Sequence, residues 1–273
     1  MIKINYETLE AVKEVEITYL RIDTNQRESR KDFITIEEPL HIIVNKEHYV
    51  TIISTPIMKR ELVLGYLITE GIIKNLSELM EIKIDAQTCD VTLRPDVDFK
   101  GRLALATPFQ RVIISACSTP VDWPLYKLDR LNIPKVRLEV KVKAKIIEEA
   151  TKSFGKQAVI YLKTGGVHAA AIYKLNGEII AFSEDVGRHN AVDKVIGVAL
   201  TKNIDLNESF LISTGRITGD ISIKAARARI PLVASLAAAI DSGIEVAKRT
   251  NLTLIGFVRG NRMNIYTFPD RVV

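Results

Sequence analysis

The chain has 273 residues, 47% of them hydrophobic, and a formal net charge of +5. That length fits one large or two ordinary domains, and the apolar fraction supplies ample core. No apolar run is long enough to span a membrane, two cysteines make no disulfide framework, and a modest, dispersed positive charge describes no nucleic-acid groove, although it favours an anionic ligand.

The opening, MIKINYETLEAVKEVEI, alternates charged and apolar residues and carries no signal-peptide apolar region. A cytoplasmic protein with free thiols is expected. VEITYLRID, DFITIE, LHIIVN and HYVTIIS then read as strands, separated by charged turns. Pro56 precedes a helix-like run, MKRELVLGYLITEGII, with Gly71 near its end. LMEIKID, CDVTLR and RVIISAC return to strands, with Pro95, Pro108, Pro120 and Pro124 punctuating this half. A boundary near residue 140 separates a smaller strand-rich N-terminal domain, 1–140, from an α/β domain, 141–273. The second domain opens on RLEVKVKAKIIEEATKSF, read as an amphipathic helix, followed by the strand-like runs AVIYLK and VHAAAIY.

Two glycine-marked turns, Thr164-Gly165-Gly166 and Asn176-Gly177, bracket VHAAAIY and predict a hairpin with EIIAF. Strand and helix then alternate: EIIAF with NAVDKVIGVAL, SFLIST with GDISIKAARAR, PLVAS with DSGIEVAKR, and finally LTLIGFV and NIYTF. This order argues for an α/β domain with a mixed, largely parallel sheet. In such sheets ligands bind beyond the carboxyl ends of the strands. Four loops would meet there: SEDVGRHN, TGRITGD, SLAAAIDSG and FVRGNRMN. They bring Arg188, His189, Arg216, Arg259 and Arg262 together with helix N-termini, whose free N–H groups and positive dipole ends suit anions. Arginine adds a planar fork that matches phosphate. The expectation is a site for a phosphorylated or otherwise polyanionic ligand.

At these residues the chain resembles the formate dehydrogenase accessory sulfurtransferase family of the FdhD/NarQ type. The resemblance rests on EEPLHIIVNKEHY, STP and ELVLGYLITEGII in the first half, SACSTP in the middle, and TGGVHAAAI, EDVGRHNAVDKVIG, STGR and LIGFVRGNRMNIYTF in the second. It implies a cytidine-deaminase-like C-terminal domain. It also implies a sulfurtransferase role: taking persulfide sulfur from a cysteine desulfurase and passing it to the molybdenum cofactor, bis(molybdopterin guanine dinucleotide), before that cofactor enters formate dehydrogenase. A homodimer is expected, with no nucleic acid or membrane as partner. Cys117 matches the persulfide-carrying cysteine. Phe257, Val258, Arg259, Gly260, Asn261 and Arg262 match the loop that contacts the cofactor. Gly165, Gly166 and His168, then Asp185, Arg188 and His189, then Thr214, Gly215 and Arg216 match loops at the same end of the domain.

The chain departs from the family at two places. Members often carry C-x-x-C in the reactive loop; here the run is Cys117-Ser118-Thr119-Pro120, which closes any route through an intraloop disulfide. Members often carry Ser-Ala-Pro-Thr where this chain reads SLAAAIDSG. A persulfide carrier needs one accessible thiolate, and Cys117 is the candidate; Cys89, in QTCDVTL, is read as structural. A zinc deaminase needs His-x-Glu and a later Cys-x-x-Cys. His168 is followed by two alanines and no cysteine pair exists, so no structural metal is expected. His189 either contacts a phosphate or base or braces its loop. Glu184 and Asp185 are expected to pair with Arg188 or to recognise a guanine edge, and Lys194 and Lys224 to lie on solvated or salt-bridged helix faces. The alternative function is a chaperone that carries the cofactor without sulfur chemistry; a guanine-nucleotide regulator is a third reading.

Overall fold

The computed structural model of the chain describes residues 10–105, 112–113 and 133–273. Strands β1 (Val12–Leu20) and β2 (Arg27–Thr35) form an antiparallel two-stranded ribbon. A five-stranded sheet follows, built from β3 (Glu38–Val44), β4 (Glu47–Ser54), β5 (Leu79–Asp85), β6 (Thr88–Leu93) and β7 (Val112–Ile113) in the order β5-β6-β3-β4-β7. Its strands bury alternate residues: Leu40, Ile42 and Val44 of β3 and Val50 and Ile52 of β4 turn inward onto Leu62, Val63, Tyr66 and Leu67 of helix α1 (Lys59–Thr69). That period of two is what a sheet with one covered face requires. Helix α1 ends where expected, at Glu70, with Gly71 at φ +76 turning the chain away. A short helix α2 (Phe99–Leu105) closes this half.

The second sheet has six strands: β8 (His168–Lys174), β9 (Ile179–Asp185), β10 (Ser209–Ser213), β11 (Leu232–Ser235), β12 (Thr253–Arg259) and β13 (Arg262–Ile265). They lie in the order β13-β12-β11-β10-β8-β9. Helices α5 (Arg188–Thr201), α6 (Gly219–Arg227) and α7 (Asp241–Thr250) cover one face, packing on Ala170, Ile172, Leu211, Val233 and Leu254. Helix α3 (Ala144–Gln157) covers the other, setting Ile147, Ala150 and Phe154 against Ala171, Tyr173, Phe210 and Ile255. Both faces are dry, which explains why these strands read as unbroken apolar runs.

Three expectations need correction. The sheet is mixed but not largely parallel: only β10–β11 and β11–β12 run parallel, and the other three pairings are antiparallel. The cause is connection length. Tight hairpins at 175–178 and 260–261 force antiparallel neighbours, whereas only the helical crossovers can return a strand in the same direction. The run AVIYLK is not a strand but helix α4 (Val159–Thr164). Its amphipathic predecessor begins at Ala144, because Val140 and Val142 are buried in alternation with exposed neighbours and Val142 bridges to Val272.

The two halves meet at the crossing of α1 and α5. A Cβ built on Gly65 would lie 1.8 Å from the carbonyl oxygen of Asp193, and one on Gly197 would lie 1.9 Å from that of Glu61. Backbone therefore touches backbone, a spacing that only glycine permits. Among the described residues no helix is long and apolar enough to cross a membrane.

Candidate functional site

The carboxyl ends of β9, β10, β11 and β12 and the start of antiparallel β8 all fall on one edge of the six-stranded sheet. The foundation of that edge is Asp185, the last residue of β9. It is fully buried, with Lys194 Nζ 2.6 Å from Oδ2. Oδ2 also accepts from the Thr55 N–H (3.1 Å) and hydroxyl (2.9 Å), and Oδ1 accepts from Gly187 N (2.9 Å) and Asn190 Nδ2 (2.8 Å). Asn190 Nδ2 also donates to the carbonyl of Ile53 at 2.8 Å. Burial pulls the Lys194 ammonium down from its ordinary range, and the Asp185 charge opposes that pull. This network bolts the end of β4 to the start of α5. Asp185 therefore shapes the loop from below.

Glu184 has a different task. Its carboxylate accepts from Ile160 N (2.9 Å) and Tyr161 N (2.8 Å), capping the free N–H groups at the start of α4. Burial raises its pKa, and the N–H groups that it accepts from act in the opposite sense. Neither acid pairs with Arg188. Each has a buried partner instead, because a carboxylate taken out of water must be compensated where it sits. Lys224 is likewise buried rather than on a face, 2.9 Å from Asp193 and 3.0 Å from Glu70, so both lysines are salt-bridged in the interior.

Above this foundation the polar groups are less committed. Helix α5 starts at Arg188, whose side chain lies across Gly215; a Cβ there would fall 2.8 Å from Arg188 Cδ. His189 follows, with Nε2 buried, without a hydrogen-bond partner, and 3.9 Å from Asp220 Oδ2 in the first turn of α6. Burial, then the positive charge of Arg188, holds the His189 imidazolium well below its usual pKa, so the ring is neutral at pH 7. Arg188 Nε and Thr218 Oγ1 are also buried and unpartnered. Thr218 stands at the N-cap of α6 yet makes no side-chain capping bond. Three orphaned polar atoms therefore gather in the seam where α5 and α6 begin. A polar atom left so costs free energy unless something completes it.

His168 joins from β8: its Nδ1 lies 3.2 Å from the Thr214 hydroxyl, and burial, then Arg188, lowers its pKa. Gly165 (φ +66) and Gly166 are exposed just upstream, on the turn that leads into β8. Ser235 Oγ donates to the Gly215 carbonyl at 2.6 Å, tying the next loop in. From that loop, Ala237 O accepts from Phe257 N (3.0 Å) and Leu236 O from Arg259 Nε (3.2 Å). Phe257 has φ +52, an uncommon state for an aromatic residue, at a bulge between Gly256 and Arg259. The bulge projects Arg259, Gly260, Asn261 and Arg262 into solvent, as Arg216 is on the neighbouring loop. Val258 points into the core, so it can offer only backbone to a ligand.

The edge thus combines exposed guanidinium groups, helix N-termini and an unsatisfied polar seam. It can hold a polyanion that also carries hydrogen-bonding groups. Thr218 and Asp220 were not singled out from the sequence, although Thr218-Gly219-Asp220 has the N-cap pattern of a helix start and would have located them. Among the described residues no group of three or more His, Cys, Asp and Glu side chains is placed to hold a metal. Cys89 is buried in the five-stranded sheet, and burial pushes its thiol up to about 12. Cys117 lies outside the described residues.

A sequence model of the FdhD/NarQ family matches residues 35–273. The protein called sulfur carrier protein FdhD in Sulfolobus acidocaldarius is 34% identical over 262 residues, covering 96% of this chain and 98% of its own. That of Methanothermobacter thermautotrophicus is 33% identical over 265 residues, covering 94% and 98%. A crystal structure of a formate dehydrogenase accessory protein from Desulfotalea psychrophila superposes with a TM-score of 0.76 at 25% identity, over 96% of this chain and 100% of that one. The match spans both sheets and every loop of the edge described above, and on that ground the chain belongs to the FdhD/NarQ family.

Proposed function

We propose that this chain is a sulfur carrier that serves formate dehydrogenase, as the names of its relatives suggest, and that its anionic cargo seats on the carboxyl edge of the six-stranded sheet. The observation that carries the seat is the trio of buried, unpartnered atoms, Arg188 Nε, His189 Nε2 and Thr218 Oγ1, where two helices begin. Arg216, Arg259 and Arg262 supply exposed charge around it. The cargo proposed is the bis(molybdopterin guanine dinucleotide) form of the molybdenum cofactor, a substrate with phosphates and guanine edges for these groups. The division of labour proposed is residues 1–140 for the sulfur-carrying cysteine and 141–273 for the cargo.

The chemistry needs one thiolate. Cys117 attacks the outer sulfur of a desulfurase persulfide; a new S–S bond forms, the old one breaks, and the desulfurase thiolate leaves. An electron pair of the acceptor atom on the cargo then attacks the sulfane sulfur; a bond from that atom to sulfur forms, the S–S bond breaks, Cys117 leaves as the thiolate, and the acceptor is the partner oxidised. Strand β7 favours this route. Its residue Ile113 pairs with Ile52, next to Ile53, whose carbonyl receives Asn190 of α5. Three residues lie between Ile113 and Cys117, a span of at most about 14 Å. The single cysteine of CSTP keeps the carrier-only reading as the alternative.

The test has two readouts. Mass spectrometry after incubation with a desulfurase and cysteine should show one added sulfur on wild type and none on Cys117→Ser. Calorimetry with a guanine nucleotide should show binding in wild type and Cys117→Ser, and weakened binding in Arg188→Ala and Arg259→Ala. No added sulfur on wild type defeats the sulfur-carrier reading, and sulfur on the Cys117→Ser variant defeats the assignment to Cys117; unchanged affinity in both arginine variants defeats the seat.

A further inference from the structure

The seam between α5 and α6 carries two layers of facing side chains, one helical turn apart. His189 and Asp193 stand four positions apart on α5, and Asp220 and Lys224 stand four apart on α6, so each pair shares a helix face. The lower layer is closed. Lys224 Nζ lies 2.9 Å from Asp193 Oδ2 and 3.0 Å from Glu70 Oε1, and the Thr69 hydroxyl donates to Asp193 Oδ1 at 2.7 Å. The upper layer is open. His189 Nε2 stops 3.9 Å from Asp220 Oδ2, beyond hydrogen-bond length, and is buried with no partner. Arg188 Nε and Thr218 Oγ1 are buried and unpartnered at the same two helix starts.

The geometry of the upper layer sets the charge of the ring. An imidazolium has two N–H donors, and here one of them would be a buried, cationic donor with nothing to accept it. The groups facing the ring act in the same sense. Arg188 on its own helix, Lys224 on α6 and His168 on β8 disfavour a positive ring, while the Asp220 carboxylate favours one from 3.9 Å. Burial, then Arg188, therefore holds the free ring neutral. His168 is placed differently, because its Nδ1 already lies 3.2 Å from the Thr214 hydroxyl.

An anion in the seam reverses these conditions. It brings an acceptor to Nε2, and its charge offsets Arg188 and Lys224. A protonated ring then stands between two negative groups, the anion and Asp220. On the strength of the seat placed at this edge, we propose that the anion enters together with a proton and that His189 takes that proton. The complex then holds a proton that the free protein lacks, so affinity rises as pH falls. The slope is at most about tenfold per pH unit and lies between the His189 pKa of the free protein below and that of the complex above. Mildly acidic conditions favour loading and mildly alkaline ones favour release. Asp220 stabilises the proton once it has arrived, and the closed layer beneath keeps Lys224 from competing for the anion.

Calorimetry with diguanosine diphosphate tests this. Its two guanosines are joined through a diphosphate that has no oxygen titrating near neutrality, so the ligand itself exchanges no proton. Titrations from about pH 6 to 8, each in buffers of different ionisation heat, count the protons taken up. Wild type should take up close to one proton per ligand where its affinity changes most steeply with pH. His189→Gln should bind without uptake and with a flat pH profile, whereas His168→Gln, whatever its affinity, should keep the uptake. Histidine nitrogen NMR spectra of wild type need no variant: His189 should be neutral before the ligand is added and an imidazolium afterwards. Binding to wild type without proton uptake across the series, a His189 ring that stays neutral in the complex, or full uptake by His189→Gln overturns the proposal and leaves the seat standing. No binding to wild type removes the seat and this role of His189 with it.

Discussion

Replacing Gly65 with alanine tests whether the α1–α5 crossing governs the stability of the fold. Intrinsic propensity favours alanine in a helix by about 1 kcal/mol, so a local view predicts stabilisation. The structure predicts the opposite. The new Cβ would sit 1.8 Å from the Asp193 carbonyl, and contacts under 3.0 Å do not occur, so the helices must separate by more than 1 Å or bend. Overpacking of this kind costs about 1–3 kcal/mol. Separation also stretches the contacts that span the junction, Thr69 Oγ1 to Asp193 Oδ1 at 2.7 Å and Lys224 Nζ to Glu70 Oε1 at 3.0 Å, and a buried hydrogen bond left unmade costs about 1–3 kcal/mol. A net loss of roughly 3 kcal/mol is expected, about 6 °C in Tm for a chain of this size. Urea titration followed by circular dichroism measures it. Gly155→Ala is the control: nothing lies within 4 Å of its Cβ position in α3, so it should gain about 1 kcal/mol. If Gly65→Ala is as stable as Gly155→Ala, the close-approach argument is wrong.

Lys194→Met should cost about 3–5 kcal/mol in the same urea assay, because it strands the Asp185 carboxylate without a counter-charge. Adding Asp185→Asn should recover part of the loss; a double variant less stable than the single one counts against the charge explanation. The stability difference between wild type and Asp193→Asn should depend on pH. Burial raises the Asp193 carboxyl from 3.8 to about 6, so the folded state holds its proton more tightly than the unfolded state does. The contribution is fully present below pH 4 and is lost as pH rises through 6. Wild type should therefore lose ground to Asp193→Asn between pH 4 and 6.5, and a gain over that window would mean that the native carboxyl is depressed.

Much of the architecture was legible along the chain. Period-two burial in β3 and β4, the Gly71 stop, the Asn176-Gly177 hairpin and the alternation of strand and helix after it are local effects, set by side-chain period and backbone freedom. The loops that would share an edge followed from that order. Other features belong to no local segment. AVIYLK is helical because Glu184, on a later strand, caps it. Lys194 and Asp185 are structural because Thr55, 130 residues before Asp185, completes their network. The glycines at 65 and 197 are ordinary in sequence and indispensable only where two backbones touch. Propensity and pattern depend on neighbours in the chain, whereas desolvation, partner choice and close approach depend on neighbours in space. The sequence by itself determined the elements and the edge on which its polar loops gather; only the tertiary structure decided which of those polar groups are spent on the frame and which are left over for a ligand.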